Sequence, residues 1–166
     1  MIRPANTGDI TSVQAVVQSA YQPYVERLGR EPAPMTVDYE DLLTTTDHIE
    51  VLVDGGVLVG VIVLVPMPDH LLIENVAISP TAQGRGFGRR LLEHAERRAT
   101  DLGHRQVRLY TNALMTENLA LYARFGYAET GRRREDGFDR VYMAKELEGP
   151  PDRGGDDPTA RRSDPS

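Results

Sequence analysis

The sequence contains no cysteine. This absence excludes a disulfide framework, a thiolate nucleophile and cysteine-ligated zinc. The sequence also has fewer positive than negative residues: 19 lysine and arginine residues and 25 aspartate and glutamate residues give a formal net charge of −6. A protein that binds a phosphate backbone needs a broad positive field. We therefore expect no nucleic-acid partner.

Long hydrophobic runs are absent as well. The longest apolar run covers residues 57–65, is interrupted by Gly60 and is far shorter than a membrane span. Residues 1–6 carry no apolar stretch of the kind found in a secretory signal. The expectation is a soluble, cytoplasmic protein with no membrane partner.

The remaining composition is that of a globular protein. A chain of 166 residues with 40% hydrophobic and 27% charged residues is long enough to form one core of its own. After Glu148 the composition changes, and residues 149–166 contain no large apolar side chain that would offset the entropy cost of ordering them. We predict one domain over residues 1–148 and a disordered tail over 149–166. A docking role for the tail is the alternative.

Hydrophobic periodicity predicts alternating helices and strands. Apolar residues recur at helical spacing over residues 10–21, and strands 49–53 and 57–65 flank Asp54-Gly55-Gly56, a typical hairpin signal. The other predicted elements are a strand 71–78, a helix 84–102, a strand 107–110, a helix 116–125, and two strands, 127–132 and 138–147. A helical crossover joins strands 71–78 and 107–110, so we expect these two to be parallel and the hairpin strands antiparallel. The pattern predicts a mixed α/β sheet with helices on both faces.

Three glycines, Gly84, Gly86 and Gly88, stand where a strand gives way to a helix. Each glycine within a helix costs about 1 kcal/mol relative to alanine, whereas a main chain without side chains can approach a phosphate at the positive end of a helix. The first turn carries arginines instead of the acids that the helix dipole favours. The turn therefore indicates a phosphate ligand, with a glycine-rich turn and solvated arginines as the alternative. It lacks the Gly-Lys-Ser/Thr of a P-loop and the third glycine of a dinucleotide motif.

Two motifs resemble those of the GCN5-related N-acetyltransferases, the GNAT superfamily. Gln83-Gly84-Arg85-Gly86-Phe87-Gly88 is similar to the family's Gln/Arg-x-x-Gly-x-Gly/Ala motif, and Leu121-Tyr122 to Gly126-Tyr127 resembles its Leu-Tyr-x-x-x-Gly-Phe/Tyr segment. Their order and separation match the family over residues 1–148. The resemblance implies a GNAT-like α/β fold: a mixed, mainly antiparallel sheet of about seven strands with about four helices on both faces. It also implies a bulge in the fourth strand that splays the central parallel pair and admits acetyl-CoA.

The resemblance implies acetyl-CoA as the acetyl donor, with no metal. The main chain around Val76, Ala77 and Ile78 corresponds to the part that binds pantetheine and polarises the thioester carbonyl. The segment that corresponds to the pyrophosphate site comprises Gln83, Gly84, Arg85, Gly86, Phe87, Gly88 and Arg89. Many members carry an asparagine seven residues before the tyrosine, where this chain has Met115. Asn118, four residues before Tyr122 on the same helical face, is the expected replacement.

Two residues are the candidate catalytic groups. Tyr122 is expected to protonate the departing sulfur of CoA, and the alternative is a tyrosine that only packs in the core. Glu74 is the candidate base, since strand alternation places it on the same face as Val76 and Ile78. The alternatives for Glu74 are an ordinary strand carboxylate or an amine deprotonated through water.

The acceptor site is expected after the first helix. The residues that the resemblance places on one of its walls are aromatic, basic or methionine: Tyr21, Tyr24, Arg27, Met35 and Tyr39. They predict a partly apolar acceptor pocket, and the alternative is that these side chains only pack. The run Arg132-Arg133-Arg134 predicts either attraction of an anionic acceptor or a charged edge strand. The four histidines show no metal-ligand spacing, and we assign them no role.

The sequence therefore predicts an acetyl-CoA-dependent N-acetyltransferase acting on a primary amine of a small molecule or a peptide, as a monomer or a homodimer. The alternative is a regulatory module of the same fold that binds CoA and has weak catalysis.

Overall fold

The computed structural model describes residues 1–148; the predicted tail, residues 149–166, lies outside the described residues. Seven strands and four helices alternate along this part of the chain. Their bounds are β1 Ile2–Pro4, α1 Ile10–Leu28, α2 Tyr39–Thr45, β2 Ile49–Asp54, β3 Val57–Pro66, β4 Leu71–Ile78, α3 Phe87–Asp101, β5 Gln106–Asn112, α4 Thr116–Arg124, β6 Ala128–Glu135 and β7 Phe138–Glu146.

The strands form one sheet in the order β1-β2-β3-β4-β5-β7-β6. All neighbouring pairs are antiparallel except β4 and β5, which α3 connects. Two hydrophobic clusters cover the sheet, one containing the apolar residues of α3 and one containing those of α1. The predicted mixed α/β fold, with helices on both faces and one parallel pair, is confirmed.

Helix α1 extends beyond the predicted end at residue 21. It continues through Pro23, although proline normally interrupts a helix because it lacks an N–H group. The helix buries Val13, Val17 and Tyr21 against the sheet, and this packing continues the apolar face past the point where the sequence pattern weakens. It ends at Gly29, whose φ of 72° is left-handed and suits a helix C-terminus.

Two short elements were not predicted. Strand β1 has three residues and pairs with β2 through Ile2 and Leu52, which is too short for an alternating pattern. Helix α2 has seven residues and begins at Asp38, whose side chain accepts a hydrogen bond of 3.0 Å from the Asp41 amide. Both elements depend on tertiary contacts more than on local sequence.

The central parallel pair separates soon after it begins. Strands β4 and β5 pair only through Leu71–Ile73 and residues 107–109. In the pairing of β3 with β4, Leu64 opposes Ile73 and Val63 opposes Asn75, so Glu74 is the extra residue of a β-bulge. The bulge and the splayed pair implied by the resemblance are confirmed, and they leave one edge of β4 without a strand partner after Ile73.

Candidate functional site

A groove of about 650 Å³ follows the open edge of β4 toward the start of α3. It is lined by the strand residues Val76, Ala77 and Ile78, by the glycine turn, and on the opposite side by residues of α1 and α4. The groove contains these residues of the predicted cofactor site: Val76, Ala77, Ile78, Gln83, Gly84, Gly86, Phe87, Gly88, Arg89 and Asn118. Arg85 is the one member of that set that does not line it.

The glycine turn presents bare main chain to the groove. Gly84 and Gly86 both have φ of 82°, in the left-handed region, and a Cβ added at either residue or at Gly88 would meet nothing within 4 Å. Helix α3 begins at Phe87, three residues later than predicted, because Gly84 and Gly86 adopt conformations that a helix does not contain.

The first turn of α3 leaves main-chain amides free. Its first helical bond runs from the Arg90 amide to the Gly86 carbonyl at 3.1 Å. The N–H groups of residues 86–89 donate to no protein acceptor within residues 1–148, as expected for the start of a helix. Free amides, the positive end of the helix dipole and the absence of Cβ atoms together fit a diphosphate.

The arginine side chains of this turn have protein partners. Arg85 Nη2 lies 2.9 Å from Asp54 Oδ2, and its guanidinium stacks 4.7 Å from the centre of the Phe87 ring. Arg89 pairs with Glu93 at 2.9 Å and remains largely exposed. These contacts turn the Arg85 side chain toward the β2–β3 turn. Any contact of this residue with a ligand in the groove would therefore come from its main chain.

A second cavity, of about 150 Å³ and mostly apolar, lies on the other side of the separated strands. It lies between the segment that follows α1 and strands β4, β5 and β7. Four residues line both this cavity and the groove: Tyr21, Val76, Asn118 and Tyr122. We call these four the junction. Two ligands, one in each cavity, would meet there.

Tyr122 reaches the junction from α4 and is buried. Its ring packs edge-on against Tyr127 with centroids 6.0 Å apart. Within residues 1–148 its hydroxyl makes no hydrogen bond to a protein group. Burial raises the pKa of Tyr122 well above its ordinary value, so the phenol stays protonated and available as a donor.

Glu74 lines the cavity, but the alternation argument that placed it there was wrong. The bulge interrupts alternation at this residue, so that Ile73 and Val76 pack toward the same hydrophobic cluster although three positions separate them. Glu74 is exposed. Its expected role as base remains a prediction.

A chain of buried hydrogen bonds supports the bulge from the α1 side. The Tyr21 hydroxyl is 2.6 Å from Asn75 Oδ1 and 3.1 Å from the Val76 carbonyl oxygen. Asn75 Nδ2 donates to the Tyr39 hydroxyl at 3.1 Å, and that hydroxyl donates to the Pro34 carbonyl at 2.6 Å. Burial raises the pKa of both Tyr21 and Tyr39. Sequence reasoning missed Asn75; its signal is a polar residue that, with Glu74, interrupts the apolar residues of β4.

The predicted acceptor residues separate into three groups. Tyr21 and Tyr39 line the cavity, whereas Tyr24 and Arg27 line the groove. Arg27 also holds Glu117 at 2.7 Å and so joins α1 to α4. Met35 is buried in the hydrophobic cluster of α1 and lines neither space.

Asn118 and Met115 lie together at the start of α4. Met115 is buried, and its sulfur accepts a contact of 3.6 Å from Asn118 Nδ2. Met115 lines only the cavity, whereas Asn118 lines both spaces. This position is compatible with the expected replacement of the missing asparagine by Asn118.

The three arginines 132–134 lie on β6, at the edge of the sheet. Each lies within 4 Å of an acid, with Arg132 on Glu129, Arg133 near Glu135 and Arg134 near Asp139. A charged edge strand, one of the two readings of this run, fits these contacts.

Residues 1–148 contain neither a cluster of metal ligands nor a membrane-spanning helix. No group of three histidine, aspartate or glutamate side chains is placed to hold a metal ion. No helix in this range is long and apolar enough to cross a membrane.

The splayed parallel pair, the glycine turn and the junction form a groove with free main-chain amides that meets a second cavity. The chain belongs to the acetyltransferase (GNAT) family, whose model matches residues 13–127. The fold resembles that of the PaiA N-acetyltransferase of Thermoplasma acidophilum, solved in complex with coenzyme A, with a TM-score of 0.74 at 19% identity over 89% of this chain and 98% of that one.

Two curated relatives match over shorter stretches. Mouse N-alpha-acetyltransferase 80 is 42% identical over 60 residues, which are 36% of this chain and 18% of that protein. The mycothiol acetyltransferase of Jonesia denitrificans is 36% identical over 93 residues, which are 53% of this chain and 30% of that protein. The chain thus matches less than a third of either relative.

Proposed function

We propose that this protein is an N-acetyltransferase that moves the acetyl group of acetyl-CoA to a primary amine of a small molecule or a peptide, by direct attack in a ternary complex. The observation that carries the proposal is the junction. There a groove with free main-chain amides meets a separate cavity at Tyr21, Val76, Asn118 and Tyr122. An acetyl donor in the groove would present its reacting carbon to an acceptor in the cavity.

The glycine turn and β4 would hold the donor. The amides of residues 86–89 fit the diphosphate. Within residues 1–148 the edge of β4 that faces β5 has no strand partner after Ile73. Side chains of Tyr21 and Gln83 donate to the Val76 and Ile78 carbonyls, and the main chain around Val76, Ala77 and Ile78 would bind the amides of pantetheine along this open edge. When bound, acetyl-CoA supplies the acetyl group as a thioester.

Two sets of protein groups would act on the reacting atoms. Main-chain N–H groups beside the bulge would stabilise charge on the carbonyl oxygen, because donors fixed in a dry site need no reorganisation during the reaction. The Tyr122 hydroxyl, protonated and without a protein acceptor in residues 1–148, would donate to the sulfur. Its raised pKa makes it a persistent hydrogen-bond donor and a proton source only as negative charge develops on the sulfur.

Glu74 would accept the proton that the amine loses. A lysine-like amine with a pKa near 10.4 is neutral in only about one molecule in 2,500 at pH 7, so a nearby acceptor is useful. A general base typically contributes about a hundredfold or more, and positioning of the two reactants contributes several kcal/mol besides.

The two relatives support acetyl transfer as the reaction, but they do not point to a single acceptor. The names N-alpha-acetyltransferase and mycothiol acetyltransferase share the transferred group and differ in what receives it. The proposed reaction therefore rests on the family, and the class of acceptor has to be inferred from the geometry of the cavity.

The test is an incubation of the full chain with acetyl-CoA and a broad panel of primary amines, following thiol release and, by mass spectrometry, the acetylated product. The proposal predicts release that depends on the amine. Tight binding of CoA in a calorimeter with no release for any amine would favour the regulatory module instead. Failure of both binding and release would reject the proposal.

A further inference from the structure

One carboxylate and one guanidinium line the cavity. Among the lining residues within 1–148, Glu74 is the only carboxylate and Arg140 the only cation. The other polar groups are tyrosine, threonine and asparagine side chains, and the rest is apolar. A polyamine would bring at least two ammonium groups to a single carboxylate and would meet Arg140 with like charge. The pair suits an acceptor that carries one positive and one negative charge.

Only one nitrogen of the Arg140 guanidinium, Nη1, contacts carboxylates of residues 1–148. The side chain is only 13% exposed; its Nη1 lies 3.1 Å from Glu135 Oε2 and 3.8 Å from Asp136 Oδ2. The guanidinium is 4.7 Å from the centre of the Tyr110 ring. Nε and Nη2 make no hydrogen bond within residues 1–148, and a planar guanidinium with free donors is suited to bind a carboxylate.

Arg140 shares its carboxylate partner with other donors. Glu135 also accepts a hydrogen bond of 2.7 Å from Tyr142 and lies 3.9 Å from Arg133. Arg30 binds the main-chain carbonyl of Asp136. Arg140 contacts these acids through Nη1 alone, which leaves the donors of Nε and Nη2 for a ligand.

Tyr110 lines the same cavity as Glu74 and Arg140. Burial is the main cause that raises the pKa of Tyr110; Arg140 lowers it, and the carboxylates of Glu74, Glu135 and Asp136 raise it. Because Glu74 and Arg140 line one cavity of about 150 Å³, one small ligand can reach both charged groups.

The two walls of the cavity are bridged at the rim. Arg30 Nη1 donates to the Asp136 carbonyl at 2.9 Å, and its guanidinium lies 4.0 Å from the centre of the Phe138 ring. Gly137 leaves the space that Arg30 occupies, because a Cβ there would lie 2.8 Å from Nη1. This bridge joins the segment after α1 to the β6–β7 turn beside Phe138, a cavity-lining residue, and a small molecule within the cavity would leave it intact.

We infer that the acceptor is a free α-amino acid with an apolar side chain, an inference that rests on the proposed function. Its carboxylate binds Nε and Nη2 of Arg140, its amine lies toward Glu74 and the junction, and its side chain contacts apolar residues such as Leu28, Val37 and Leu109. The amine nitrogen bonds to the acetyl carbon, the carbon–sulfur bond breaks, and the sulfur gains a proton while the amine loses one. The products are the N-acetyl amino acid and CoA.

The experiment compares acceptors that differ in the carboxylate alone. Values of kcat/KM are measured for L-leucine, L-leucinamide and a leucyl dipeptide, with spermidine as a polycation, and L-leucine is expected to exceed each of the others at least about tenfold. Titration of L-leucine and L-leucinamide into the CoA-loaded protein gives a readout independent of turnover. Binding of L-leucine at least about tenfold tighter is expected.

Variants then assign the effect to Arg140. Arg140→Lys keeps a charge opposite Glu135 but loses the planar donor pair, and it should raise KM for L-leucine about tenfold while changing KM for L-leucinamide less than twofold. Arg134→Gln, on the exposed edge strand, is the matched control and should change neither.

Three outcomes would overturn the inference. Equal or better turnover of the amide or spermidine would reject the carboxylate site, and preference for the dipeptide would indicate a peptide acceptor. In both cases thiol release would leave the proposed function standing. Absence of release with every amine and of acetyl-CoA binding would reject both.

Discussion

The hydroxyl of Tyr21 lies 2.6 Å from Oδ1 of Asn75 and joins α1 to the bulged strand. The same hydroxyl is 3.1 Å from the carbonyl oxygen of Val76, a junction residue. Because a buried asparagine must have its polar atoms satisfied, this contact fixes the strand just after the bulge at Glu74. The position of the open strand edge thus depends on a residue more than fifty positions earlier in the chain.

Tyr122→Phe is expected to lower kcat by about a hundredfold and to leave the Kd for acetyl-CoA unchanged, since the ring stays and only the donor to sulfur is lost. A thiol-release assay measures kcat, and calorimetry measures the Kd for acetyl-CoA. Tyr127→Phe is the control, because its hydroxyl is buried and has no partner within residues 1–148; it should keep activity and unfold at an equal or higher temperature. An unchanged kcat in Tyr122→Phe would remove the proton-donor role.

Because burial raises the pKa of Tyr122, the phenol stays protonated well above pH 9. The wild-type rate should therefore not fall between pH 8 and 9.5 through loss of this proton. A loss of kcat in that range that is absent in Tyr122→Phe would contradict the assignment.

Glu74→Gln is expected to lower kcat/KM about a hundredfold at pH 7, because the amide cannot accept a proton from the amine. The deficit should shrink toward pH 10, where roughly 30% of a lysine-like amine is already neutral. Glu129→Gln, on the edge strand, is the matched control. A Glu74→Gln variant with normal activity at pH 7 would favour deprotonation through water.

Gly86→Glu is expected to abolish acetyl-CoA binding while the domain still folds. The φ of 82° strains any side chain there, and the carboxylate would enter the groove beside the free amides of α3. Gly103→Glu is the matched control: it has φ of 80° and open space around its Cβ but lies outside the groove. Calorimetry should show binding lost in the first variant and retained in the second; normal binding by Gly86→Glu would contradict the diphosphate site.

Asp9→Asn is expected to lower the free energy of unfolding by about 1–3 kcal/mol at pH 7. Asp9 is buried and accepts hydrogen bonds from Arg3 at 2.7 and 3.0 Å and from the Asn6 amide at 2.8 Å. The bond from Arg3 lowers the pKa of Asp9, so this stabilisation is complete above the unfolded value near 3.9 and is lost as the pH falls through the lower, folded value. Urea unfolding at pH 7 and at pH 2 to 3 measures the difference.

The exposed Asp47 forms no salt bridge within residues 1–148, and Asp47→Asn should change the free energy of unfolding by less than about 0.5 kcal/mol. A pH-independent effect of Asp9→Asn would contradict the ion-pair account.

Much of the fold follows from local pattern. Strand β4 was predicted with its observed bounds, since apolar residues stand at both ends of the segment from Leu71 to Ile78 and Pro80 closes it. The parallel β4–β5 pair followed from the crossover helix between the two strands, a topological rule that needs no side-chain detail. The glycine turn was recognisable because its residues violate helix propensity in one short segment.

The rest depends on which strands meet. The bulge at Glu74 exists only in the pairing of β4 with β3, so alternation along β4 alone gave a wrong argument for that residue. Asn75 and Arg140 reach the cavity from different strands, and their partners, Tyr21 and Glu135, come from other elements. Such clusters are set by tertiary register, which one sequence does not display.

The most direct test of the donor site is an amide NMR titration of isotopically labelled protein with acetyl-CoA. Free amides at residues 86–89 and an unpaired edge of β4 predict the largest chemical-shift changes at residues 76–78 and 84–89, with little change in the β6–β7 hairpin. Saturating acetyl-CoA that shifts amides elsewhere and leaves the glycine turn unmoved would contradict the account.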